Sequence, residues 1–292
     1  MGLIENGAFG RVNKVDIAIK RLKAFEPEDG YFLAYSGGKD SVAIRALAIM
    51  SGVKFDAHYS VTSVDPPEVV RFAKDTPGVD FNFPRYDDGA RITMWNLIVR
   101  KLMPPTRLVR YCCKKLKESA GVGRVTVTGV RKAESAQRRN NRELIHIGGV
   151  KNQIIYNTDN DEARRMVEQC FRTRKTIVNP IIDWTDDDVW EFIKTENVPY
   201  CELYDSGYKR LGCIGCPMSS NQKKDLDDYP KYKRAYLRAF EKMLKERKKK
   251  GLGVTEEWRD ADGVMEWWTN NKKSHLIPEE QGTVWDTDAL NF

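Results

Sequence analysis

Residues 31–41 read Tyr31-Phe32-Leu33-Ala34-Tyr35-Ser36-Gly37-Gly38-Lys39-Asp40-Ser41. The first five are apolar and aromatic and lie between turn formers, the pattern of a buried strand. Two glycines then allow a tight turn and close backbone approach. Val42, Ala43, Ala46, Leu47 and Met50 follow at helical spacing, and Gly52 closes that helix. Residues 55–61 read as the next strand. Strand, turn, helix and strand make a βαβ unit with a right-handed crossover. A helix that starts on a glycine turn aims free N–H groups at whatever lies above it, which suits phosphate. Ser36 and Ser41 add hydroxyls, and Lys39 adds a positive charge. The spacing is neither G-x-x-x-x-G-K-[ST] nor G-x-G-x-x-G, so it is not the usual P-loop or the dinucleotide fingerprint.

Outward from this turn, Val15, Ala18, Ile19 and Leu22 predict a helix over 15–24. Pro66-Pro67-Glu68 opens another. Residues 94–102 read as helix, and 125–130 as a β-branched strand ending in glycine. Residues 140–175 are polar and irregular, the composition of an insertion or loop. Thr185 caps a helix with Asp186 and Asp187 in its first turn. Tyr232, Ala235, Tyr236, Ala239, Phe240, Met243 and Leu244 make a long amphipathic helix, which ends in Arg247-Lys248-Lys249-Lys250-Gly251. Trp258, Trp267, Trp268 and Trp285 follow and are expected to pack or to form a binding surface. The expected fold is α/β, a doubly wound, mainly parallel sheet with a helical C-terminal extension. Residues 1–220 are expected to form the nucleotide and metal domain, with the insertion at about 140–175, and 221–292 the Trp-rich extension.

The chain has 292 residues, 41% of them hydrophobic, which fits a globular core without disulfide staples. No apolar run is long enough for a membrane span, and the N-terminus lacks a signal-peptide pattern, so a cytoplasmic location is expected. Lys and Arg number 49 against 42 Asp and Glu, a net charge of +7. That balance suits a nucleotide or nucleic-acid partner and equally a solvated basic surface. The terminal basic run reads first as a solvated helix end.

Four of the six cysteines form two tight pairs, Cys112-Cys113 and Cys213-Ile214-Gly215-Cys216, which points to metal rather than disulfide chemistry. Four thiolates suit an iron–sulfur cluster or structural zinc. Adjacent cysteines are unusual for zinc, whose ligand pairs normally carry spacers. Cys170 and Cys201 have no paired spacing and read as packing residues; His58, His146 and His275 show no ligand spacing and read as surface or core-packing residues. Arg131 and Arg138 follow a glycine-ended strand, a position for an anion-binding cation. Asp65 reads equally as a ligand to ribose, adenine or magnesium and as a turn residue before Pro66.

Residues 36–41 resemble the S-G-G-x-D-S pyrophosphate loop of the adenine nucleotide α-hydrolase superfamily. The resemblance implies cleavage of ATP at the α–β bond, usually with Mg2+, with Lys39 and Arg131 neutralising developing charge. Cys-Cys followed by Cys-x-x-C is similar to the 4Fe–4S motif of adenylyl sulfate reductases. The stretch from Gly129 to Ser135, the Asn179-Pro180 segment and the stretch from Leu203 to Cys213 extend the likeness to the phosphoadenosine phosphosulfate reductase family over about 30–220. This implies Ser36, Gly37, Gly38, Lys39, Asp40, Ser41, Arg131 and Arg138 as the nucleotide site, to which Asp65 is added on its ligand reading. It implies Cys112, Cys113, Cys213 and Cys216 as ligands of a 4Fe–4S cluster, and ATP or an adenylyl sulfate as substrate. The reductases carry a nucleophilic cysteine in a C-terminal Glu-Cys-Gly-type motif, but no cysteine stands between Cys216 and Phe292. The expected function is therefore ATP pyrophosphatase chemistry in sulfur transfer, of the DNA-phosphorothioation or tRNA-thiolation kind. Its partners would be a nucleic-acid acceptor or a sulfur-donor protein, and homo-oligomerisation fits the chain. The alternatives are a sulfonucleotide reductase using a displaced or external thiol, and a nucleotide sensor without turnover.

Overall fold

Strand β3 (Tyr31–Tyr35) lies in the middle of a six-stranded sheet in a computed structural model describing residues 2–7, 10–141, 144–147 and 176–270. The other strands are β4 (Phe55–Ser60), β5 (Val79–Asn82), β6 (Thr126–Val127), β7 (Ile145–Ile147) and β8 (Thr176–Val178). Their order is β5-β4-β3-β6-β8-β7, and every pairing is parallel except β7 with β8. A separate hairpin pairs β1 (Ile4–Gly7) with β2 (Gly10–Asn13). The chain winds outward from β3 through β4 to β5, then returns to the other side of β3 at β6. The order therefore reverses between β3 and β6, and a crevice opens at the carboxyl ends of those two strands.

The chain divides into two compact units. The first comprises Met1–Ser60, Pro67–Asn82 and Ala120–Leu211 and holds the sheet. Its helices include α1 (Lys14–Ala24), α2 (Lys39–Ser51) and α3 (Pro67–Asp75). Further along the chain is a helix at Asp186–Thr195, capped by Thr185, whose hydroxyl accepts the Asp188 N–H. A buried ion pair ties α1 to that helix: Lys14 Nζ lies 2.8 Å from Asp188 Oδ2 and 2.7 Å from Glu5 Oε1.

The second unit comprises Val61–Pro66, Phe83–Ser119 and Gly212–Phe292. Its described helices include Met94–Lys101, Gln222–Asp228, Pro230–Lys249 and Ala261–Asn270. Tyr236, Phe240 and Met243 of the longest helix bury their side chains with Leu97, Ile98, Trp258 and Trp268. Trp268 packs on Tyr236 at 4.7 Å between ring centroids and donates its indole N–H to Pro105 O at 2.7 Å. Trp258 and Trp268 are thus core residues of this unit, and the partly buried Trp267 packs edge-on against Trp258. Among the described residues, no helix is long and apolar enough to cross a membrane.

Several sequence expectations are corrected. The units do not follow a single cut at residue 220, because 61–66 and 83–119 pack with the C-terminal helices. The strand expected over 125–130 pairs only at Thr126–Val127. Beyond it, Thr128 N–H still reaches Val178 O at 3.0 Å before the chain turns at Gly129. Within the expected loop at 140–175, Ile145–Ile147 is an edge strand. The rest of that stretch, at 142–143 and 148–175 with Cys170, lies outside the described residues, as do His275 and Trp285. Arg247 is not a solvated helix end. It is buried and donates to Leu102 O at 3.0 Å and Gly253 O at 2.6 Å.

Burial works to raise the Asp188 carboxyl, but hydrogen bonds from Lys14 and Thr185 outweigh it and hold the pKa below the ordinary aspartate value. The Lys14 ammonium is held above its ordinary value because the two carboxylates outweigh its burial. A depressed carboxylate stabilises the fold above its unfolded pKa and loses that contribution as pH falls. We expect Asp188→Asn to lower unfolding stability by about 2 kcal/mol at neutral pH, since Glu5 remains beside Lys14. Urea unfolding should show this deficit shrinking as pH falls below 3.8.

Candidate functional site

The glycine turn sits at the end of β3, where the sheet order reverses. Gly37 has φ +72°, and a Cβ there would lie 2.9 Å from Val69 Cγ1. Ser41 Oγ donates to Gly38 O at 2.8 Å and accepts the Ser36 N–H at 3.1 Å, which fixes the turn from within. No side chain caps α2 at Gly38. The first intrahelical backbone bond runs from Val42 N–H to Gly38 O. The N–H groups of Asp40 and Ser41 therefore have no acceptor inside the helix. The Lys39 N–H donates to the Tyr204 hydroxyl at 2.8 Å.

A cleft of about 210 Å³ opens above this turn. Residues 36 and 38–41 line one side, and Thr128, Gly129 and Val130 at the end of β6 line another. Arg138, Tyr204 and Arg210 complete it. Lys39 is only 4% exposed, and its Nζ lies 3.6 Å from Asp186 Oδ1 and 3.8 Å from Asp40 Oδ2. Arg138 pairs with Glu134 one turn away.

Arg131 was expected to bind an anion, but the structure places it beneath the cleft. It is 1% exposed; its Nε donates to Asp40 Oδ1 at 2.7 Å and its Nη2 to Asp186 Oδ1 at 2.5 Å. The guanidinium is thereby committed to two carboxylates in the first turns of two helices and positions the groups that line the cleft. Burial pushes the Asp40 carboxyl up, and the Arg131 and Lys39 charges pull it back only part of the way. Burial also works to raise Asp186, but hydrogen bonds and charge from Arg131 and Lys39 prevail and lower it.

Asp65 belongs to the second unit. Its Oδ2 accepts the Thr62 N–H at 2.8 Å, closing a turn in that unit. Tyr204 and Arg210 were missed as site residues. Both lie in the quoted stretch from Leu203 to Cys213, but no spacing rule singles them out; only the folded chain brings them to the helix start.

The second unit gathers the cysteine quartet. Cys112 and Cys113 lie on a short helix, Tyr111–Cys113, which continues into a wider turn at Lys114–Glu118. Ile214, inside the Cys-x-x-C, is held by its N–H to Val64 O at 2.8 Å. Cys112, Cys113, Cys213 and Cys216 line one small cavity with Lys117, whose walls include Met94, Leu116 and Tyr236. All four thiols are free. Among the described residues, no three thiol, imidazole or carboxylate groups converge as a single metal ion requires. A soft, all-thiol set lining a common cavity still fits a metal centre in donor chemistry. A hydrogen bond from Cys112 and the nearby Arg110 and Lys117 charges outweigh burial and lower the Cys113 pKa to about 5. The Cys112 thiol rises instead, through that same hydrogen bond and its burial. Burial also raises Cys213. Cys201 is 1% exposed, and burial raises its thiol pKa, so it is an inert packing residue, as expected.

A family model described as phosphoadenosine phosphosulfate reductase domain matches residues 30–219, well over half of the chain. An adenosine 5'-phosphosulfate reductase of Oceanobacillus iheyensis is 31% identical over 119 residues, covering 39% of this chain and 40% of its own length. An uncharacterized protein of Methanocaldococcus jannaschii is 26% identical over 245 residues, covering 80% of this chain and 51% of its own. The matches thus span about half, or less, of these curated relatives. The solved structure of a phosphoadenylyl-sulfate reductase from Candida auris is 15% identical, with a TM-score of 0.42, over 73% of this chain and 98% of that one.

The approach of β6 to the helix start leaves no room for a side chain at Gly129. A Cβ there would lie 2.7 Å from the Asp40 backbone C and O, which cannot move without shifting α2. We expect Gly129→Ala to cost about 1–3 kcal/mol in unfolding stability.

Proposed function

The chain belongs to the phosphoadenosine phosphosulfate reductase family, and from that premise we propose that its cleft binds the phosphates of ATP or an adenylyl sulfate and supports ATP cleavage at the α–β bond in sulfur transfer. The observation that carries this reading is the uncapped start of α2 at the point where the sheet order reverses, with Lys39 and Arg138 beside it. Donors and charges held in place before the substrate arrives need little reorganisation as charge develops. The Asp40 and Ser41 N–H groups would hold phosphate oxygens, and Lys39 would neutralise charge on the leaving pyrophosphate. An acceptor oxygen bonds to the α-phosphorus while the bridging bond to the β-phosphate breaks and its electron pair leaves with pyrophosphate. Mg2+ would enter with the triphosphate. Arg131 acts through Asp40 and Asp186 and is a positioning residue.

Cys112, Cys113, Cys213 and Cys216 would hold a 4Fe–4S cluster. The all-thiol donor set and the adjacent cysteines support this over zinc, which needs its four ligands around one ion. Such a centre would supply electrostatic stabilisation or sulfur-carrying chemistry.

A second reading, reduction of adenylyl sulfate to sulfite, is favoured by the 31% identity to a named reductase. The attacking thiol would have to come from outside the described residues, because Cys201 is buried and the remaining described cysteines line one cavity.

Product release tests these readings. Under anaerobic conditions the protein should release pyrophosphate from ATP, and Lys39→Ala should lower turnover by at least about a hundredfold. Sulfite release from adenylyl sulfate with an added thiol, without pyrophosphate release from ATP, would establish the second reading instead. ATP binding without either product retires both. For the metal, anaerobic protein should contain iron and acid-labile sulfide and absorb visible light, and Cys113→Ser should lose most of that absorbance. Zinc without iron would overturn the cluster.

A further inference from the structure

The longest helix, Pro230–Lys249, is chemically divided along its length. Tyr236, Phe240, Met243 and Arg247 face its core. On the opposite side Lys231, Arg234, Arg238, Lys242, Lys245 and Lys249 follow at intervals of three or four residues, and all six are exposed. At 3.6 residues per turn these positions fall within an arc of about 80°. They form a ridge about 27 Å long, with a cation about every 5 Å, flanked by one exposed carboxylate, Glu241. Among the described residues, Lys231, Arg234, Arg238, Lys242 and Lys245 form no ion pair, while Lys249 meets Glu246 at 2.6 Å. Of the terminal basic run only Lys249 joins the ridge, since Arg247 turns inward.

Six aligned like charges repel one another, and helix stability gains nothing from them. They become favourable opposite a linear polyanion, whose condensed counterions they release. We propose that this ridge docks on the phosphate backbone of duplex DNA. The helix is about 10–12 Å across, which matches the roughly 12 Å major groove of B-form DNA, whereas the A-form RNA groove is too narrow and deep. No aromatic side chain stands among the ridge cations to stack on unpaired bases, which disfavours a single strand. The helix's apolar face is buried in the protein core, so it offers a bilayer nothing to insert. The ridge lies in the second unit, and the inference stands independently of the reaction proposed for the cleft.

The test measures binding of a fluorescent 20-base-pair duplex by anisotropy over a range of salt concentrations, without nucleotide. The wild-type protein should show log K falling with log salt at a slope of about −4 to −5. Joint Arg234→Gln, Arg238→Gln and Lys242→Gln substitution should weaken binding at least tenfold and make the slope shallower by about 2 to 3. Far-UV circular dichroism and thermal melting check that this variant is folded. Arg234→Lys with Arg238→Lys should keep binding, as should Lys20→Gln with Lys23→Gln on α1. DNA binding should also survive Lys39→Ala, which separates the ridge from the cleft. Unchanged binding in the triple glutamine variant, no binding by the wild type, or tighter binding to duplex RNA, single-stranded DNA or phosphatidylserine vesicles would overturn the proposal.

Discussion

Beneath the cleft, the buried guanidinium of Arg131 bonds a carboxylate from the first turn of α2 and another from the first turn of the Asp186–Thr195 helix. Taking the guanidinium out of water is costly, and the arrangement persists because it meets two carboxylates, Asp40 partly buried and Asp186 largely exposed, with hydrogen bonds in good geometry. The rest of the first unit's site depends on this contact. It fixes two helix starts against the end of β6 and holds Asp40 and Asp186 near the Lys39 ammonium. The glycine turn can then leave its backbone donors uncapped without the loop collapsing onto them.

The second unit is organised on a different principle. Its chain comes from three separated segments, joined by the aromatic and aliphatic face of Pro230–Lys249. Cys112 and Cys213 pack against that same core, so the cysteine cavity is built on well-buried scaffolding rather than on a loose loop. The long helix therefore serves two environments. One face supports the core and the thiols, while the other carries six cations into solvent, of which Lys249 pairs with Glu246.

Much of the first unit was legible in local sequence. The strand at Tyr31–Tyr35, the helix at Lys39–Ser51 and the Thr185 cap are written in short-range patterns that a few neighbouring residues decide. The strand at 125–130 was overestimated because β propensity says nothing of where the partner strand ends. Ile145–Ile147 was missed because three residues carry no period and form a strand only by pairing with β8. Arg131 and Arg138 looked alike in sequence. The fold buries the first between two carboxylates and leaves the second at the cleft.

Sequence by itself determined the parts: a glycine turn between a strand and a helix, two cysteine pairs, and a family resemblance spanning both. These depend on bond geometry, spacing and residue chemistry, which are local. Tertiary structure alone decided how the parts are employed. It brought Tyr204 to the Lys39 N–H across 165 positions of chain, turned Asp65 to a backbone hydrogen bond, and drew Arg247 inward while aligning six other cations outward. The physical reason is that burial and long-range pairing set the partner of each charge, and no local window of sequence contains that partner.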